Sequence, residues 1–318
     1  MKVEEIAAFS RRIIDNVEQV IVGKRDPIRL AMVSLLCEGH VLMEDVPGVA
    51  KTMLARSLAL SLGCSFARVQ CTPDVLPSDI TGSSIFNQKT GEFEFRPGPV
   101  FHQIVLADEI NRATPRSQSA LLEAMGERQT TIDGVTHPMP RPFMVLATQN
   151  PIEHEGTFPL PEAQLDRFLI RMSLGYPSFP DENTMLERLR LDHPIDSIGQ
   201  VANAEELLAA QRAVREVYVH EKVREYIVRV AQATRRSADL AMGASPRATF
   251  ALYRTSQALA AIEGRNYIIP DDVKYCAVPV FSHRVILNPE SRLRGRKTAE
   301  GVEAALQTIP APVERTPM

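Results

Sequence analysis

A lysine and a threonine follow a short loop between an apolar run, residues 41–43, and a helical pattern that begins at Lys51. The order strand, loop, Lys-Thr and helix is typical of a phosphate-binding loop, because loop amides and the helix N-terminus point toward phosphate oxygens. In this arrangement Lys51 would reach the β- and γ-phosphates of a nucleoside triphosphate, and the Thr52 hydroxyl would bind Mg²⁺. The sequence therefore predicts a nucleotide site, with an ordinary β–α turn capped by threonine as the alternative.

The loop departs from the usual pattern at two positions. The pattern has glycine at its first position and before the lysine, where this chain has Asp45 and Ala50. Aspartate tolerates unusual backbone angles. Ala50 is compatible with helical angles, but its methyl group narrows the approach of phosphate. The residues that we expect to line the nucleotide are Asp45, Val46, Pro47, Gly48, Val49, Ala50, Lys51, Thr52 and Met53.

Two acidic residues end a second apolar run. Residues 104–107 read as a strand, and Asp108 and Glu109 follow it directly. Asp108 would hold Mg²⁺, directly or through water, and Glu109 would polarise the attacking water as a general base. Taken alone, the pair is more simply explained as two acids that cap the next helix. On a strand separate from the Lys51 loop, the two acids favour a Walker B element.

A third apolar run, residues 143–148, ends in Gln149 and Asn150. A polar side chain at the carboxyl end of a neighbouring strand could orient the attacking water. The alternative is a turn asparagine before Pro151.

The elements that must position these residues follow from apolar periodicity. Five apolar runs of strand length, at residues 40–43, 65–69, 104–107, 143–147 and 168–170, alternate with helical patterns such as 51–62 and 117–125. This alternation predicts an α/β fold, a three-layer α/β/α core with a parallel sheet. Two hairpins, at residues 86–93 and 130–136, interrupt it; a plain surface role is the alternative for both.

A second domain follows a Pro-rich break at residues 176–180. Beyond the break the helical patterns lie at residues 182–191, 204–217, 221–237, 247–262 and 271–280. We therefore expect an α/β core at 1–177, an all-α lid domain at 178–308 and a frayed tail at 309–318.

Composition excludes several classes of function. Lys and Arg number 36 against 39 Asp and Glu, a formal net charge of −3, which disfavours a general electrostatic grip on nucleic acid. No apolar run approaches the roughly 18 residues of a membrane span, and the acidic start lacks a signal-peptide core. We expect reduced thiols, no zinc site and a cytoplasmic protein, because no Cys-x-x-Cys pair is formed by Cys37, Cys64, Cys71 and Cys276.

With these strands identified, the chain resembles the MoxR family of AAA+ ATPases, in the clade with a helix-2 insert. The resemblance covers nearly the whole sequence. The stretches that carry it are residues 44–52, 76–82, 107–113, 147–151, 160–168 and 243–248.

The resemblance implies roles for residues that spacing alone does not assign. Val22 and Gly23 match the segment that lines the adenine pocket, and Asn150 matches the sensor 1 position. Arg247 matches sensor 2, on the lid, which would reach the γ-phosphate of its own subunit. Arg167 matches the arginine finger, which would reach the neighbouring subunit's nucleotide. Each arginine has a surface ion pair as its alternative. Arg112 would either face the subunit interface or pair with an acid.

The resemblance also implies an Mg²⁺-dependent ATPase that binds ATP and ADP and forms a ring, a hexamer in our expectation. Family members are chaperone-like and assist maturation, assembly or metal insertion of other proteins. They typically act with a protein that carries a von Willebrand factor A domain. The two hairpins match the helix-2 insert and the hairpin before sensor 1, elements that face the ring pore or a client protein.

Three other functions stay open. The first is a nucleic-acid motor, for which the cluster of basic residues at 292–297 is the only sequence feature, and that cluster reads more simply as a solvated helix end. The second is a chelatase subunit that inserts Mg²⁺ into a porphyrin. The third is a nucleotide-gated scaffold with a weak ATPase, which Asp45 and Ala50 keep open.

Overall fold

A parallel five-stranded sheet lies at the centre of the computed structural model, which describes residues 1–151, 156–188 and 193–312. The strands of the described residues are β1 Val41–Glu44, β2 Phe66–Gln70, β3 Gly82–Asn87, β4 Glu92–Pro97, β5 Ile104–Asp108, β6 Gln129–Ile132, β7 Val135–Pro138, β8 Met144–Gln149, β9 Ile170–Met172, β10 Leu240–Met242 and β11 Ile286–Leu287. The central sheet has the order β2-β5-β8-β1-β9. Each apolar run predicted as a strand contributes one of these five strands.

Helices cover both faces of the sheet and form the second half of the chain. They are α1 Val3–Glu18, α2 Arg25–Leu36, α3 Lys51–Leu62, α4 Pro77–Thr81, α5 Pro115–Glu127, α6 Glu162–Leu165, α7 Phe179–Arg188, α8 Ala204–Val214, α9 Glu221–Arg236, α10 Pro246–Ile262, α11 Pro270–Phe281, α12 Pro289–Leu293 and α13 Thr298–Gln307. Capping side chains mark several starts. Asn203 Oδ1 accepts the Glu206 amide at 2.9 Å before α8, and Ser245 Oγ accepts the Ala248 amide at 3.1 Å in α10.

Side-chain alternation along the strands produces the three layers. In β5, Ile104 and Leu106 face the hydrophobic cluster that contains α1, α2 and α3, whereas Val105 and Ala107 face the cluster that contains α5. A strand that is buried on both faces is expected for a parallel sheet with helices on each side. The predicted three-layer α/β/α core is confirmed.

The helical half is not separated from the N-terminal helices. The cluster that contains α1–α3 continues without a break into α8–α11 and α13. A two-stranded antiparallel sheet, β10 with β11, stands among these helices, so the expectation of a purely α-helical lid is wrong in this detail. The domain boundary at 177/178 stays a prediction.

Two of the predicted segments extend past the described residues. Of the helix predicted at 182–191, the structure has α7 at Phe179–Arg188, and residues 189–191 lie outside the described part. Of the tail predicted at 309–318, residues 309–312 are described. Ile309 packs against the hydrophobic core rather than fraying.

Both predicted hairpins are present and contact each other. β3 pairs with β4, and β6 pairs with β7 around Asp133 and Gly134, which both have positive φ as a tight two-residue turn requires. The Phe95 ring of the first hairpin stacks on the His137 ring of the second at 4.1 Å between centroids. The two hairpins therefore form one projection from the core.

The cysteines and the hydropathy of the helices give two further findings. All four cysteines are free, with Cys71 and Cys276 buried. Among the described residues, no helix has both the length and the apolar character that crossing a membrane requires.

Candidate active site

The strand order brings the predicted chemical residues to one edge of the sheet. β1 pairs in parallel with β8, and β8 pairs in parallel with β5, so their carboxyl ends lead to the same edge. Asp45, Asp108 and Asn150 lie at these three ends. A backbone hydrogen bond joins the ends of β1 and β8, because the Asp45 amide donates to the Gln149 carbonyl at 3.2 Å. The structure thus brings together the loop, the acidic pair and the polar end of β8.

The loop turns into α3 through Ala50, whose φ is +62° and ψ +26°. This is the left-handed region, not the right-handed helical conformation with which alanine is compatible. The chain must reverse direction before Lys51, and glycine usually supplies that conformation. Gly48 also has a positive φ, +84°, with no atom within 4 Å of where a Cβ would lie. Gly48 is therefore needed for its backbone angles rather than for space.

Asp45 holds the first position of the loop without a positive φ. Its side chain is buried, at 7% exposure, and its carboxylate accepts the backbone amides of Leu174 and Gly175. The distance from the Gly175 nitrogen to Oδ2 is 3.2 Å. A glycine here would leave both amides without this acceptor.

Lys51 and Thr52 form the first turn of α3 and are half-buried. The Lys51 ammonium donates to the Asp45 carbonyl at 2.9 Å. The side chain of Lys51, which is predicted to bind phosphate, therefore folds back onto the loop that precedes it. Val46, Pro47, Val49 and Met53 complete the loop and the start of the helix, and Val49 and Met53 pack partly against the hydrophobic core.

The acidic pair at the end of β5 is held by neighbouring polar side chains. Thr148 Oγ1 donates to Asp108 Oδ1 at 2.6 Å and accepts the Glu109 amide at 2.8 Å. Arg68 of β2 donates to Asp108 Oδ2 through Nη2 at 2.6 Å and through Nε at 3.2 Å. The two carboxylates consequently occupy fixed positions beside the loop.

The Glu109 carboxylate has two donors. Gln70 Nε2 lies 3.2 Å and Arg112 Nη1 lies 3.1 Å from Glu109 Oε2. Of the two alternatives for Arg112, pairing with an acid is the one that this structure has. Cys71 follows Gln70 beside both acids. Burial, followed by the charges of Asp108 and Glu109, raises the pKa of the Cys71 thiol to about 12. The thiol therefore stays protonated at neutral pH and is no nucleophile.

Val22 and Gly23 lie beside the start of α7 and the segment that precedes it. Val22 is half-buried and Gly23 is exposed, with a φ of +68°. A Cβ on Gly23 would overlap the Asp181 carboxylate of α7. Next in the chain, Lys24 Nζ donates to the Tyr176 carbonyl at 2.7 Å, one residue after Gly175, which binds Asp45.

Arg167 and Arg247 lie elsewhere, at the amino edge of the sheet. Arg167 precedes β9, and its guanidinium fills the space where Gly126 of α5 has no Cβ. Arg247 Nη1 is 3.1 Å from Asp166 Oδ2. Because the sheet is parallel, this edge is opposite to the one that carries Lys51. The expectation that Arg247 reaches the nucleotide of its own subunit therefore does not fit this position.

A cavity of about 740 Å³ lies between these arginines and the start of β1. Its charged lining contains six arginines against three acids, namely Arg128, Arg167, Arg215, Arg247, Arg254 and Arg284 against Glu38, Glu127 and Asp166. Arg284 is buried and donates to Asp166 Oδ1 at 2.7 Å. Burial, opposed by the Asp166 carboxylate, lowers the pKa of Arg284. The surplus of positive charge suits an anionic ligand.

The residues at the carboxyl edge fit a nucleotide with Mg²⁺. Mg²⁺ in nucleotide sites usually takes one or two protein oxygens and completes its shell with phosphates and water. The Asp108 carboxylate and the Thr52 hydroxyl are such oxygens. The described residues contain no group of three or more His, Cys, Asp or Glu that could hold a metal ion by itself.

Sequence reasoning missed Arg68, Gln70, Thr148 and Asp166. One signal could have found two of them. Arg68 and Gln70 are two residues apart on β2 and therefore share a face, and Gln70 is in register with Asp108.

Comparison with known proteins supports a nucleotide site at the carboxyl edge of the sheet. A family model described as "ATPase family associated with various cellular activities (AAA)" matches residues 40–170, and an "AAA lid domain" model matches residues 232–305. The uncharacterised protein YeaC of Bacillus subtilis is 47% identical over 98% of both chains. Chaperone MoxR1 of Mycobacterium tuberculosis is 42% identical, covering 95% of this chain and 82% of that protein.

A solved structure is similar over its whole length. It belongs to a protein from Cytophaga hutchinsonii that is regarded as an ATPase. The two chains are 37% identical, the TM-score is 0.89, and 98% of each chain is covered.

Proposed function

Because this chain belongs to the MoxR family of AAA+ ATPases, which contains chaperone-like proteins, we propose that it hydrolyses ATP to ADP and phosphate with Mg²⁺. The observation that carries the proposal is the meeting of three strand ends. The loop of residues 45–50, the Asp108–Glu109 pair and Asn150 stand at one edge of a parallel sheet. This arrangement would supply a phosphate cradle, a cation ligand and a general base within one site.

The loop and α3 would bind the phosphates of ATP. Lys51 would leave the Asp45 carbonyl, 2.9 Å away, and pair with the β- and γ-phosphate oxygens. The left-handed backbone at Gly48 and Ala50 turns the chain so that α3 begins at Lys51. Val22 and Gly23 would border the adenine. Mg²⁺, held by Thr52 and Asp108, would neutralise charge on the β- and γ-phosphates.

Glu109 would act as the general base on the attacking water. Thr148 fixes its backbone through a 2.8 Å hydrogen bond from the Glu109 amide. The Glu109 carboxylate would give up its hydrogen bonds from Gln70 and Arg112 and accept a hydrogen bond from the water instead. Asn150, at the end of β8, would orient the same water. Glu109 and Asn150 directly follow the paired strands β5 and β8, so both would act on a single water molecule.

The two remaining arginines support a ring. Arg167 and Arg247 lie at the amino edge, so neither is placed to meet its own subunit's loop. In a ring, this edge would face the loop of the next subunit. The arginine-rich cavity would then receive the triphosphate end of that neighbour's ATP. We propose that the ring is a hexamer.

The ring would remodel a partner protein in the cytoplasm. The identity of 42% with a protein named Chaperone MoxR1 supports a chaperone-like role. The hairpin projection carries exposed aromatic side chains, Phe86 at 51% and Phe93 at 73%, which would contact a client. We propose that maturation, assembly or metal insertion of a client is the outcome, with a von Willebrand factor A domain protein as the partner.

ATP hydrolysis by the purified full chain tests the proposal. With Mg²⁺ we expect steady turnover in the parent and a loss of about 100-fold in Glu109→Gln, since a positioned base contributes roughly 10²–10⁴ to the rate. The variant should still bind ATP, and oligomer size should grow with ATP in both proteins. Turnover in Glu109→Gln equal to the parent would contradict the assignment. ATP binding without turnover in the parent would favour a nucleotide-gated scaffold.

A further inference from the structure

Asp45 contacts three different parts of the site. Its carboxylate, 7% exposed, accepts the amides of Leu174 and Gly175 in the linker, which we define as residues 173–178 between β9 and α7. Its carbonyl accepts Lys51 Nζ at 2.9 Å. Its amide donates to the carbonyl of Gln149 at 3.2 Å. One residue therefore contacts the phosphate lysine, the end of β8 and the path into the helical half.

The linker is also tied to the segment predicted to border the adenine. Lys24 Nζ donates to the Tyr176 carbonyl at 2.7 Å. Gly23, directly before it, packs against Asp181 at the start of α7. The linker thus lies between two parts of the nucleotide site, and Asp45 is its contact with the phosphate-binding loop.

The usual phosphate loop cannot make these contacts. Its first residue is glycine, which has no side chain to bind the linker. Asp45 has no positive φ, so its backbone does not demand glycine. A buried carboxylate with two backbone amides as donors is a strong, geometrically defined contact. It stands at the position where binding of a phosphate would first disturb the loop, because Lys51 must leave the Asp45 carbonyl to reach that phosphate.

We propose that Asp45 is a positioning residue that couples nucleotide binding in the loop to the linker and so to the helical half of the protein. This inference rests on the proposed binding of ATP. Movement of Lys51 toward the phosphates would free the Asp45 carbonyl, and the carboxylate of the same residue would transmit the shift of the loop to Leu174 and Gly175. The linker amides would respond to ATP only while that carboxylate is present.

Hydrogen exchange of the full chain, followed by mass spectrometry on peptides that cover the linker, tests this coupling. ATP with Mg²⁺ is the probe, at a concentration shown by a fluorescent ATP analogue to saturate each protein. In the parent, ATP should slow exchange at the linker amides. In Asp45→Asn, these amides should exchange about tenfold faster without ATP, because one buried acceptor is lost. ATP, although bound, should no longer change their rate.

Asp45→Gly restores the residue that phosphate loops usually have at this position, and it should behave as Asp45→Asn does. If Asp45→Asn does not fold, Asp45→Gly takes its place in the experiment. Asp79→Asn is the matched control. Asp79 Oδ2 accepts the Leu76 amide at 2.9 Å, a similar contact in α4. This control should leave the linker response of the parent unchanged.

Two results would overturn the coupling. One is a linker response to ATP in both Asp45 variants that equals the response of the parent. The other is a parent that binds ATP with no change at the linker. Failure of the proposed function looks different, because the parent would then not bind the ATP analogue at all.

Discussion

The left-handed conformation of Ala50 is the clearest departure of a single residue from its sequence pattern. A non-glycine residue in this region loses roughly 1–2 kcal/mol relative to its preferred conformations. The methyl group also packs partly against the hydrophobic core, which returns part of that loss. Ala50 therefore has the backbone conformation of a phosphate loop, but its backbone is strained and its methyl group reduces the space for phosphate.

We expect Ala50→Gly to bind ATP more tightly than the parent, by about threefold or more, because removal of the methyl group widens the approach of phosphate and relieves the strain. Its free energy of unfolding should stay within about 1 kcal/mol of the parent, since relief of strain offsets the greater chain entropy of glycine. Titration with a fluorescent ATP analogue and chemical denaturation measure the two quantities.

Ala209→Gly is the matched control for Ala50→Gly. Ala209 is also half-buried, but it lies inside α8 in the right-handed helix. There the same substitution should lower the free energy of unfolding by about 1 kcal/mol and leave ATP affinity unchanged. An equal loss of stability in both variants would contradict the role given to the φ of Ala50.

The prediction of a nucleotide site at Lys51, Thr52, Asp108 and Glu109 rests on residue types and on their places after separate apolar runs, because ammonium, hydroxyl and carboxylate groups suit phosphate and Mg²⁺. Arg68 escaped prediction because its relation to Asp108 exists only when β2 and β5 pair. The location of Arg247 in the fold could not be predicted from the sequence for a related reason. Its position depends on how α10 packs against Asp166, which no local pattern contains.

At the scale of elements, His40 fastens the start of β1 to two neighbours. Its Nδ1 accepts the Val145 amide of β8 at 3.0 Å, and its Nε2 lies 3.2 Å from the Met125 carbonyl of α5. His40 is 5% exposed. The pKa of His40 is lowered to about 4. Burial is the main cause, the charge of Arg128 adds to it, and the hydrogen bond to the Met125 carbonyl opposes it. The ring that joins the three elements is therefore neutral at pH 7.

We expect the free energy of unfolding to fall as the pH falls from 6.5 to 4. Unfolded His40 takes up a proton below its ordinary pKa of 6.5, whereas folded His40 stays neutral down to about pH 4. The unfolded state thus binds more protons in this window and gains about 3 kcal/mol from this residue. In His40→Gln, which keeps one donor and one acceptor, the loss over the same window should be smaller by about that amount. Denaturation by urea at a series of pH values measures it.

Other groups titrate in the same window, so the parent and His40→Gln are compared over the same series of pH values. A slope in His40→Gln equal to that of the parent would contradict the role of His40.

Most elements were predictable, and the exceptions have physical reasons. β5 and β8 are almost wholly buried and appear as continuous apolar runs, and the hairpin of β6 and β7 has an Asp-Gly turn. The helix α2 is buried around most of its circumference, so it lacks the polar face that marks a surface helix. The antiparallel pair β10–β11 joins segments some 45 residues apart, and strands of two or three residues give no periodicity to detect.

At the scale of the whole molecule, the two halves of the proposed reaction centre lie on opposite edges of one sheet. The loop, Asp108 and Glu109 are at the carboxyl edge, and Arg167 and Arg247 are at the amino edge. Within one subunit as the structure has it, the length of the sheet separates the loop from both arginines. Repetition of one subunit around a closed ring joins the carboxyl edge of each copy to the amino edge of the next, which is a heterologous, self-closing interface.

Mixing of variants follows from this geometry as the last prediction. Lys51→Ala disables the loop and keeps the arginines, whereas Arg167→Ala or Arg247→Ala keeps the loop and disables the arginine edge. Each variant alone should lose nearly all ATPase activity, because every interface in its ring lacks one half.

Equal mixtures of Lys51→Ala with either arginine variant should regain up to about one quarter of the parental rate per subunit. In random rings, that fraction of interfaces joins an intact loop to an intact arginine edge. Mixtures of Lys51→Ala with the double variant Lys51→Ala, Arg167→Ala should regain nothing, because no subunit then has an intact loop. An Arg247→Ala mixture that stays inactive while the Arg167→Ala mixture recovers would return Arg247 to its own subunit's nucleotide. It would also require the lid to move across the molecule when ATP binds.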